Sequence, residues 1–178
     1  LFDENDYRLN RFFSRTRYAK NLVPRKYKGK LTISEYDPVS MDTVVFANTG
    51  TPAASGGWLR YSEVLLNKAE AEACLGQGDA ANTLKGLLQY RYKVMPTIPG
   101  SGKALVDFVR LERRKELCFE GHRWFDLRRY GMPELTHVYF IAPESKQEIS
   151  LEREDPRYVL PIPQSALDRN PYLKQNER

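Results

Sequence analysis

The chain has 178 residues, a length that supports one domain with a sizeable hydrophobic core. Hydrophobic residues make up 41% of the sequence and charged residues 29%, which is typical of a folded globular protein and excludes an intrinsically disordered one. The formal net charge of +5 is unevenly placed: residues 8–30 contain nine Lys/Arg and no acidic residue, while the remainder has 19 basic and 23 acidic residues.

The basic segment, residues 8–30, also contains four aromatic residues: Phe12, Phe13, Tyr18 and Tyr27. Basic residues mixed with aromatic ones occur at nucleic-acid-binding surfaces. A nucleic-acid-binding module would carry more than one such segment, and the sequence has no RRM, KH or zinc-knuckle motif. We therefore predict that the segment is solvated or faces a protein partner, and we expect no nucleic acid among the partners.

Two further classes of protein are excluded by simple patterns. No apolar run approaches the roughly 20 residues that span a bilayer, so we expect membrane attachment only through an anchor upstream of this chain. Cys74 and Cys118 are too few and too far apart for a zinc site. Both fall in predicted helices, where we expect free, buried thiols, and a disulfide between two packed helices stays open.

Residues 1–57 are predicted to be irregular, because proline and glycine recur along them. Within this part, residues 31–33 and 43–46 are candidate short strands, since they are rich in β-branched and apolar side chains. We expect residues 1–57 to form a lead-in segment to the periodic part of the chain, residues 58–178.

A helical hairpin is predicted at the start of the periodic part. Residues 59–75 form its first helix, and the residues expected on the inner face are Tyr61, Val64, Leu65, Leu66, Ala69 and Ala73. Gly76 and Gly78 end this helix, and Asp79 caps a second helix, residues 80–93. That helix turns Leu84, Leu87 and Leu88 inward.

A second pair of helices is predicted, one at residues 104–120 and, after Gly121, a short one that carries Trp124, Phe125 and Leu127 and ends at Arg129. A strand is predicted at residues 138–141. Pro161 and Pro163 then favour an extended segment. Two hairpins in series, with small residues late in the first helix, are typical of tetratricopeptide-like repeats. The predicted fold is therefore mainly α, with tetratricopeptide-like helical hairpins, long irregular loops and little β.

Three glutamates spaced four residues apart, Glu112, Glu116 and Glu120, lie on one face of the third predicted helix. That face continues the apolar residues of the same helix, so the carboxylates point inward and need cationic partners. Arginine suits this role, because its guanidinium binds a carboxylate through two hydrogen bonds. We predict a structural ion-pair network formed by Arg60, Glu112, Arg113, Glu116, Glu120, Arg123, Asp126 and Arg129.

A catalytic interpretation of the same glutamates is a glycoside hydrolase, in which paired carboxylates act as acid and base. Residues four apart on a helix have Cβ atoms about 6 Å apart, so their spacing alone does not exclude it. The interleaved arginines would hold every carboxylate ionised, whereas an acid–base pair needs its two pKa values pushed apart. We predict no catalytic residue, no metal site and no cofactor, since the sequence has no P-loop, dinucleotide fingerprint, nucleophile elbow or HExxH motif.

The chain resembles the SusD-like (SusD/RagB) family in four successive motifs. The first is Arg-Tyr-Ser-Glu-Val-Leu-Leu-Asn-Lys-Ala-Glu-Ala at residues 60–71, and the second is a loose match at Asn82 and Arg91. The third begins at Glu112 with Glu-Arg-x-x-Glu-Leu-x-Phe-Glu-Gly-x-Arg and ends at Gly131. The fourth is Leu-Pro-Ile-Pro with Asn-Pro-x-Leu-x-Gln-Asn, at residues 160–176.

The resemblance covers residues 58–178 and implies the C-terminal helical region of such a protein, with the N-terminal half and its lipidated cysteine absent. It implies a non-catalytic lipoprotein on the outer face of the bacterial outer membrane. Such a protein binds an oligosaccharide and delivers it to a TonB-dependent, SusC-like transporter for nutrient uptake. The residues of the motifs are implied to be scaffold residues, which agrees with the predicted ion-pair network.

The motifs do not identify the residues that contact the glycan. The resemblance implies that these contacts come from loops, which vary between members of the family. Sugar recognition needs aromatic faces that stack on the rings, with polar groups at the edges. We predict that contacts are included among Trp58, Tyr90, Tyr92, Tyr139 and Phe140, with packing as the alternative role of each. The alternative function for the whole chain is a tetratricopeptide-type protein–protein interaction module without sugar binding.

Overall fold

The computed structural model describes residues 1–15, 22–24, 26, 31–48, 60–142 and 145–177. The chain divides into two compact units, Leu1–Gly121 and His122–Arg178. The protein is mainly α, as predicted. Its division into a lead-in segment and a helical region at residues 57 and 58 stays a prediction.

The first unit contains most of the helices. Its elements are α1 (Tyr7–Phe12), β1 (Phe13–Arg15), β2 (Leu22–Pro24), β3 (Leu31–Asp37), β4 (Asp42–Asn48), α2 (Tyr61–Leu75), α3 (Ala80–Leu88) and α4 (Gly102–Glu116). Strands β1 and β2 form one antiparallel pair and β3 and β4 another, with Ile33 opposite Phe46. The candidate strands at residues 31–33 and 43–46 lie within β3 and β4 and are confirmed.

The predicted hairpin of α2 and α3 is confirmed. Gly76 follows α2 with a φ of +62°, a left-handed conformation that glycine adopts without a steric penalty. The Asp79 carboxylate accepts a hydrogen bond of 2.9 Å from the backbone N–H of Asn82 and so caps α3. Helix α2 packs against both α3 and α4, and this three-helix contact encloses the main hydrophobic core.

The buried face of α2 differs in part from the predicted one. Leu66, Ala69 and Ala73 are buried as expected, but Tyr61 is 76% exposed and Val64 is 50% exposed. The sequence pattern placed the inner face on the line of Tyr61, whereas the real face includes Glu70. Its carboxylate accepts a hydrogen bond of 3.1 Å from Arg110 Nε on α4, and an apolar pattern cannot anticipate a buried acid.

Helix α3 buries its three predicted leucines, Leu84, Leu87 and Leu88, but it ends at Leu88 and not at residue 93. The residues after it are held by the N-terminal segment instead. The backbone N–H of Tyr7 donates to the carbonyl of Arg91 at 2.8 Å, and the N–H of Lys93 donates to the carbonyl of Asn5 at 2.9 Å. This non-local pairing takes the place of a last helical turn.

The second unit combines two helices with a β-hairpin and an extended tail. Its elements are α5 (His122–Arg129), β5 (Leu135–Ala142), β6 (Ser145–Leu151), a 3₁₀ turn (Pro156–Tyr158) and α6 (Gln164–Leu167). The strand predicted at residues 138–141 is part of β5, whereas β6 was missed because its sequence, Ser-Lys-Gln-Glu-Ile-Ser-Leu, is largely polar. Because α4 and α5 belong to different units, their pairing as a second hairpin stays a prediction.

Tyr158 forms the buried centre of the second unit. Its ring stacks on Trp124 of α5 with centroids 5.1 Å apart, and its hydroxyl donates to the carbonyl of Pro133 at 2.6 Å. In the extended tail, the side-chain amide of Gln175 pairs with the backbone N–H and carbonyl of Ile162, at 2.8 Å and 3.0 Å. Pro161 and Pro163 have no backbone N–H, so Ile162 supplies the backbone donor of this three-residue stretch.

The two cysteines are free, which agrees with the expectation of separate thiols. Cys74 is exposed and Cys118 is only partly buried, so the prediction that both thiols are buried is wrong for Cys74 and met only in part by Cys118. Cys74 lies near the end of α2. In the described part of the chain, no helix is both long and apolar enough to cross a bilayer.

The packing of α2 gives the first prediction. Replacing Leu66 by alanine leaves a cavity in the core between three helices, and we expect the free energy of unfolding to fall by about 2–5 kcal/mol. The matched control is Leu75→Ala on the same helix, because Leu75 is largely exposed and should change stability by less than about 0.5 kcal/mol. Urea denaturation followed by circular dichroism measures both, and equal losses would contradict the described core.

Candidate functional site

Helix α4 carries two fully buried carboxylates on its inner face. Glu112 and Glu116 follow Leu105 and Val109 at helical spacing, so the apolar face of the helix continues directly into an acidic one. Glu120 lies one turn further along, after the end of α4. Buried carboxylates of this kind require charged partners, and the structure supplies them from segments far apart in the sequence.

Glu112 is bound by three groups. Arg8 Nη2 lies 2.6 Å from Glu112 Oε2, and the hydroxyl of Tyr92 donates to Oε1 at 2.6 Å. Lys115, on the next turn of α4, donates to Oε1 at 3.2 Å. Arg8 is itself fixed by Asp6, whose two carboxylate oxygens each accept a hydrogen bond of 2.8 Å from its guanidinium.

Glu116 is bound mainly by Arg91, which follows α3. The guanidinium of Arg91 donates two hydrogen bonds to the carboxylate, at 2.8 Å and 2.9 Å. Arg8 Nη1 lies 3.6 Å from the same group, and Arg60 Nη1, at the start of α2, lies 3.5 Å from it. The buried carboxylate of Glu116 therefore has two hydrogen bonds from one guanidinium group and the charges of two more beside it, which compensate for the loss of water.

Glu120 continues the row with partners of its own. Arg60 donates to both of its carboxylate oxygens, at 2.7 Å and 3.1 Å. Lys26 forms an ion pair with Glu120 and also donates to the backbone carbonyls of Glu116 and Cys118. The ammonium group of Lys26 therefore closes the C-terminal end of α4.

We call these groups the α4 ion-pair network. Among the described residues it contains the carboxylates of Asp6, Glu112, Glu116 and Glu120 and the cations Arg8, Lys26, Arg60, Arg91 and Lys115. The network joins α1, the start of α2, the residues after α3 and the whole second half of α4. With Lys26, which follows β2, it brings five separate segments to one place.

The pKa values follow from this packing. Burial by itself would raise the pKa of Glu116, but the hydrogen bonds and charge of Arg91, with the charges of Arg8 and Arg60, hold that pKa below its ordinary value. Burial raises the pKa of the Tyr92 hydroxyl, and the adjacent Glu112 carboxylate raises it further. Tyr92 therefore stays neutral and donates its hydrogen bond to the Glu112 side chain.

The residues of the predicted ion-pair network lie in different places. Arg60, Glu112, Glu116 and Glu120 come together in the α4 ion-pair network. Arg113 donates to the side chain of Asn67 at 2.6 Å, which joins α4 to α2. In the second unit, Arg129 pairs with Asp126 at 2.9 Å, and Arg123 is exposed.

Five partners in the network were not identified from the sequence: Asp6, Arg8, Lys26, Arg91 and Lys115. Arg8 and Lys26 lie in the basic segment, where the absence of acidic residues was the available signal that the partners are distant. Arg91 was noted as part of a motif and not as a partner of Glu116. Sequence spacing cannot reveal the pairs of Arg8 with Glu112 and of Arg91 with Glu116, which are separated by 104 and 25 residues. Lys115 is three residues from Glu112, and helical spacing was the available signal for that pair.

A cleft of about 560 Å³ opens beside this network in the first unit. Its walls are formed by the end of α3, by α1 and by the start of α2, and it is lined by Tyr7, Arg8, Arg11, Phe12, Arg60, Gln89, Tyr90, Arg91 and Glu116. Volumes of roughly 300–1,000 Å³ are usual for sites that bind small molecules. The cleft is thus large enough for an organic ligand.

The predicted glycan contacts are placed differently from one another. Tyr90 lines the cleft and is 69% exposed. Tyr92 is 6% exposed, and its hydroxyl is held within the α4 ion-pair network, so its ring does not offer a face to a ligand. Phe140, on β5, is exposed, whereas the neighbouring Tyr139 is partly covered and donates to Gln147. Trp58 lies outside the described residues.

The sequence was compared with known proteins. A sequence model of the SusD family matches residues 39–178. The chain belongs to the SusD family. The SusD-like protein P38 of Formosa agariphila is 30% identical over 193 residues, which cover 99% of this chain and 34% of that protein. The chain therefore spans about a third of the length of this curated relative.

Two solved structures are also similar to the chain. A crystal structure of a SusD-like protein from Bacteroides fragilis aligns with a TM-score of 0.47 and 27% identity, over 71% of this chain and 28% of that one. A SusD-like carbohydrate binding protein from Bacteroides vulgatus aligns with a TM-score of 0.49 and 22% identity, over 85% and 31%.

The α4 ion-pair network gives a prediction about stability. Glu116→Gln removes the charge that balances three arginines, and we expect the free energy of unfolding to fall by about 3–5 kcal/mol, because buried cations are left uncompensated. Glu4→Gln is the control, since Glu4 is exposed in the same unit and its loss should have little effect. Urea denaturation at neutral pH measures both, and an unchanged stability of Glu116→Gln would rule out the network as a structural element.

The same residue predicts a pH dependence. Because the folded-state pKa of Glu116 lies below its ordinary value of 4.5, its contribution is complete above that value and is lost as the pH falls through the folded-state pKa. We expect the stability difference between wild type and Glu116→Gln to be largest at about pH 7 and to shrink at about pH 3. Denaturant titrations at both pH values measure this difference, and a constant difference would contradict the lowered pKa.

Proposed function

We propose that this chain is part of a non-catalytic protein that binds an oligosaccharide at the bacterial cell surface. The observation that carries the proposal is the match of the SusD family over residues 39–178, which spans most of the chain. A related solved protein from Bacteroides vulgatus is described as a carbohydrate binding protein, and this supports the same class of ligand here.

The state of the buried acids supports binding without catalysis. A glycoside hydrolase needs one carboxylic acid that is protonated and one carboxylate that is ionised, both in contact with the substrate. Glu112 and Glu116 are instead buried, and each is bound by cations through short hydrogen bonds. Glu116 borders the cleft, but each oxygen of both carboxylates is already bound by a hydrogen-bond donor of the protein.

The further steps of the proposed function concern the cell surface. The protein would be held on the outer face of the outer membrane through an anchor outside this chain. It would pass its oligosaccharide to a TonB-dependent, SusC-like transporter for nutrient uptake. These steps rest on the family resemblance, and co-purification with the transporter tests them.

The alternative function is a tetratricopeptide-type protein–protein interaction module. The hairpin of α2 and α3 favours it, because Ala69, Ala73 and Ala80 allow the two helices to pack closely, as they do in such repeats. A glycan array separates the two functions. Binding of any oligosaccharide supports the leading proposal, and a protein that binds no glycan supports the alternative.

The exposed aromatic side chains provide a sharper test. Once a bound glycan is identified, we expect Tyr90→Ala or Phe140→Ala to weaken its affinity by about fivefold or more, because a stacked ring contributes roughly 1 kcal/mol or more. Tyr61→Ala is the control for Tyr90→Ala, since Tyr61 is similarly exposed in the same unit but does not line the cleft. Isothermal titration calorimetry measures each affinity.

Two results would contradict parts of this proposal. Unchanged affinity in both aromatic variants would remove Tyr90 and Phe140 from the binding site. Release of reducing sugar that disappears in Glu112→Gln or Glu116→Gln, with the variants still folded, would establish a hydrolase in place of a binding protein.

A further inference from the structure

The cleft beside the α4 ion-pair network has more positive than negative charge. Four of its lining residues are arginines, Arg8, Arg11, Arg60 and Arg91, and one is a glutamate, Glu116. A concave surface lined by one sign of charge concentrates ligands of the opposite sign. The expected ligand therefore carries a negative charge.

Glu116, the one carboxylate among the described residues that line the cleft, does not cancel this charge. Glu116 is buried and already bound by Arg91 through two hydrogen bonds, with Arg8 and Arg60 within 3.6 Å. The α4 ion-pair network as described contains five cations and four carboxylates, so it retains one positive charge before Arg11 is counted. An approaching anion meets a net positive wall.

Among the described residues that line the cleft, Arg11 is the cation that is available to a ligand. It lies in the last turn of α1, is exposed, and forms no ion pair with the residues that the structure describes. Its planar guanidinium can hold a carboxylate or a sulfate group through two parallel hydrogen bonds. The other arginines have their positions fixed by Glu112, Glu116 and Glu120.

Aromatic faces in the same cleft indicate that the ligand is more than an inorganic anion. Tyr90 and Tyr7 both line it, and they are 69% and 46% exposed. An exposed ring next to a guanidinium matches a sugar that carries an acid, because the ring packs on the C–H face of the sugar while the arginine binds the acidic group.

We infer that this cleft selects acidic oligosaccharides, whose sugars carry a carboxylate or a sulfate group, with Arg11 as the residue that determines charge selectivity. The inference rests on the proposed glycan-binding function and names its ligand class. Arg11 binds the acidic group, and Tyr90 stacks on the sugar.

The test compares acidic sugars with neutral counterparts of the same skeleton. Trigalacturonate is paired with its methyl ester, and sulfated lactose is paired with lactose, which separates a carboxylate from a sulfate as the acidic group. Isothermal titration calorimetry with the 178-residue chain should give at least about tenfold tighter binding for one or both acidic members, because a charge-assisted hydrogen bond is lost in the neutral ones. That advantage should decrease at high ionic strength.

Variants of Arg11 connect the selectivity to the cleft. Arg11→Met should remove the advantage of the acidic sugar while leaving the weaker binding of the neutral one, and Arg11→Lys should retain part of it. Arg114→Met is the matched control: Arg114 is an exposed arginine of the same unit that does not line the cleft, and its loss changes the net charge equally. Circular dichroism verifies that each variant is folded.

Each other result has a defined meaning. Equal affinity for the acidic and neutral members of both pairs overturns the charge selectivity and leaves the glycan-binding function intact. An absence of binding for every sugar in a glycan array rejects the proposed function itself. Binding of inorganic sulfate as tight as that of sulfated lactose, or equal losses in Arg11→Met and Arg114→Met, overturns the assignment of this cleft to a sugar.

Discussion

The buried carboxylates of α4 are the constraint on which the first unit depends. Glu112 and Glu116 have no contact with water, so each requires cations that must come from other segments. Arg8 comes from α1, Arg60 from the start of α2 and Arg91 from the residues after α3. Because removing one partner leaves a buried charge without compensation, the network determines where these four segments lie.

The same network decides what the acids do. Their oxygens are occupied by guanidinium, ammonium and phenol donors, and this arrangement favours a structural role over that of a hydrolase pair. The function is left to the surface that the network supports. Arg60 and Arg91 line the cleft and also bind the carboxylates of Glu120 and Glu116. Their guanidinium groups are therefore held in fixed positions at the cleft. Pre-organised groups of this kind lose little conformational entropy on binding.

The local elements of the fold could be predicted from the sequence because they depend on neighbours in the chain. Helix periodicity, the glycine at position 76 and the cap at Asp79 gave the hairpin of α2 and α3, and the motifs gave the family. Predictions that depended on distant contacts were less accurate. The predicted α3 is too long, because the N-terminal segment binds the residues that follow Leu88. The predicted inner face of α2 includes Tyr61 wrongly, because an apolar pattern does not count Glu70 among the buried residues.

The sequence by itself determined that α4 carries a row of acids that face inward and that arginines must neutralise them, because like charges on a helical face repel and burial requires opposite charge. Only the tertiary structure decided which cations do so, because Arg8 reaches Glu112 across 104 residues and spacing cannot encode such a pair. It also decided that Tyr92 is buried while Tyr90, two residues away, lines a cleft. Exposure depends on what packs against a side chain, and that is settled only when distant segments meet.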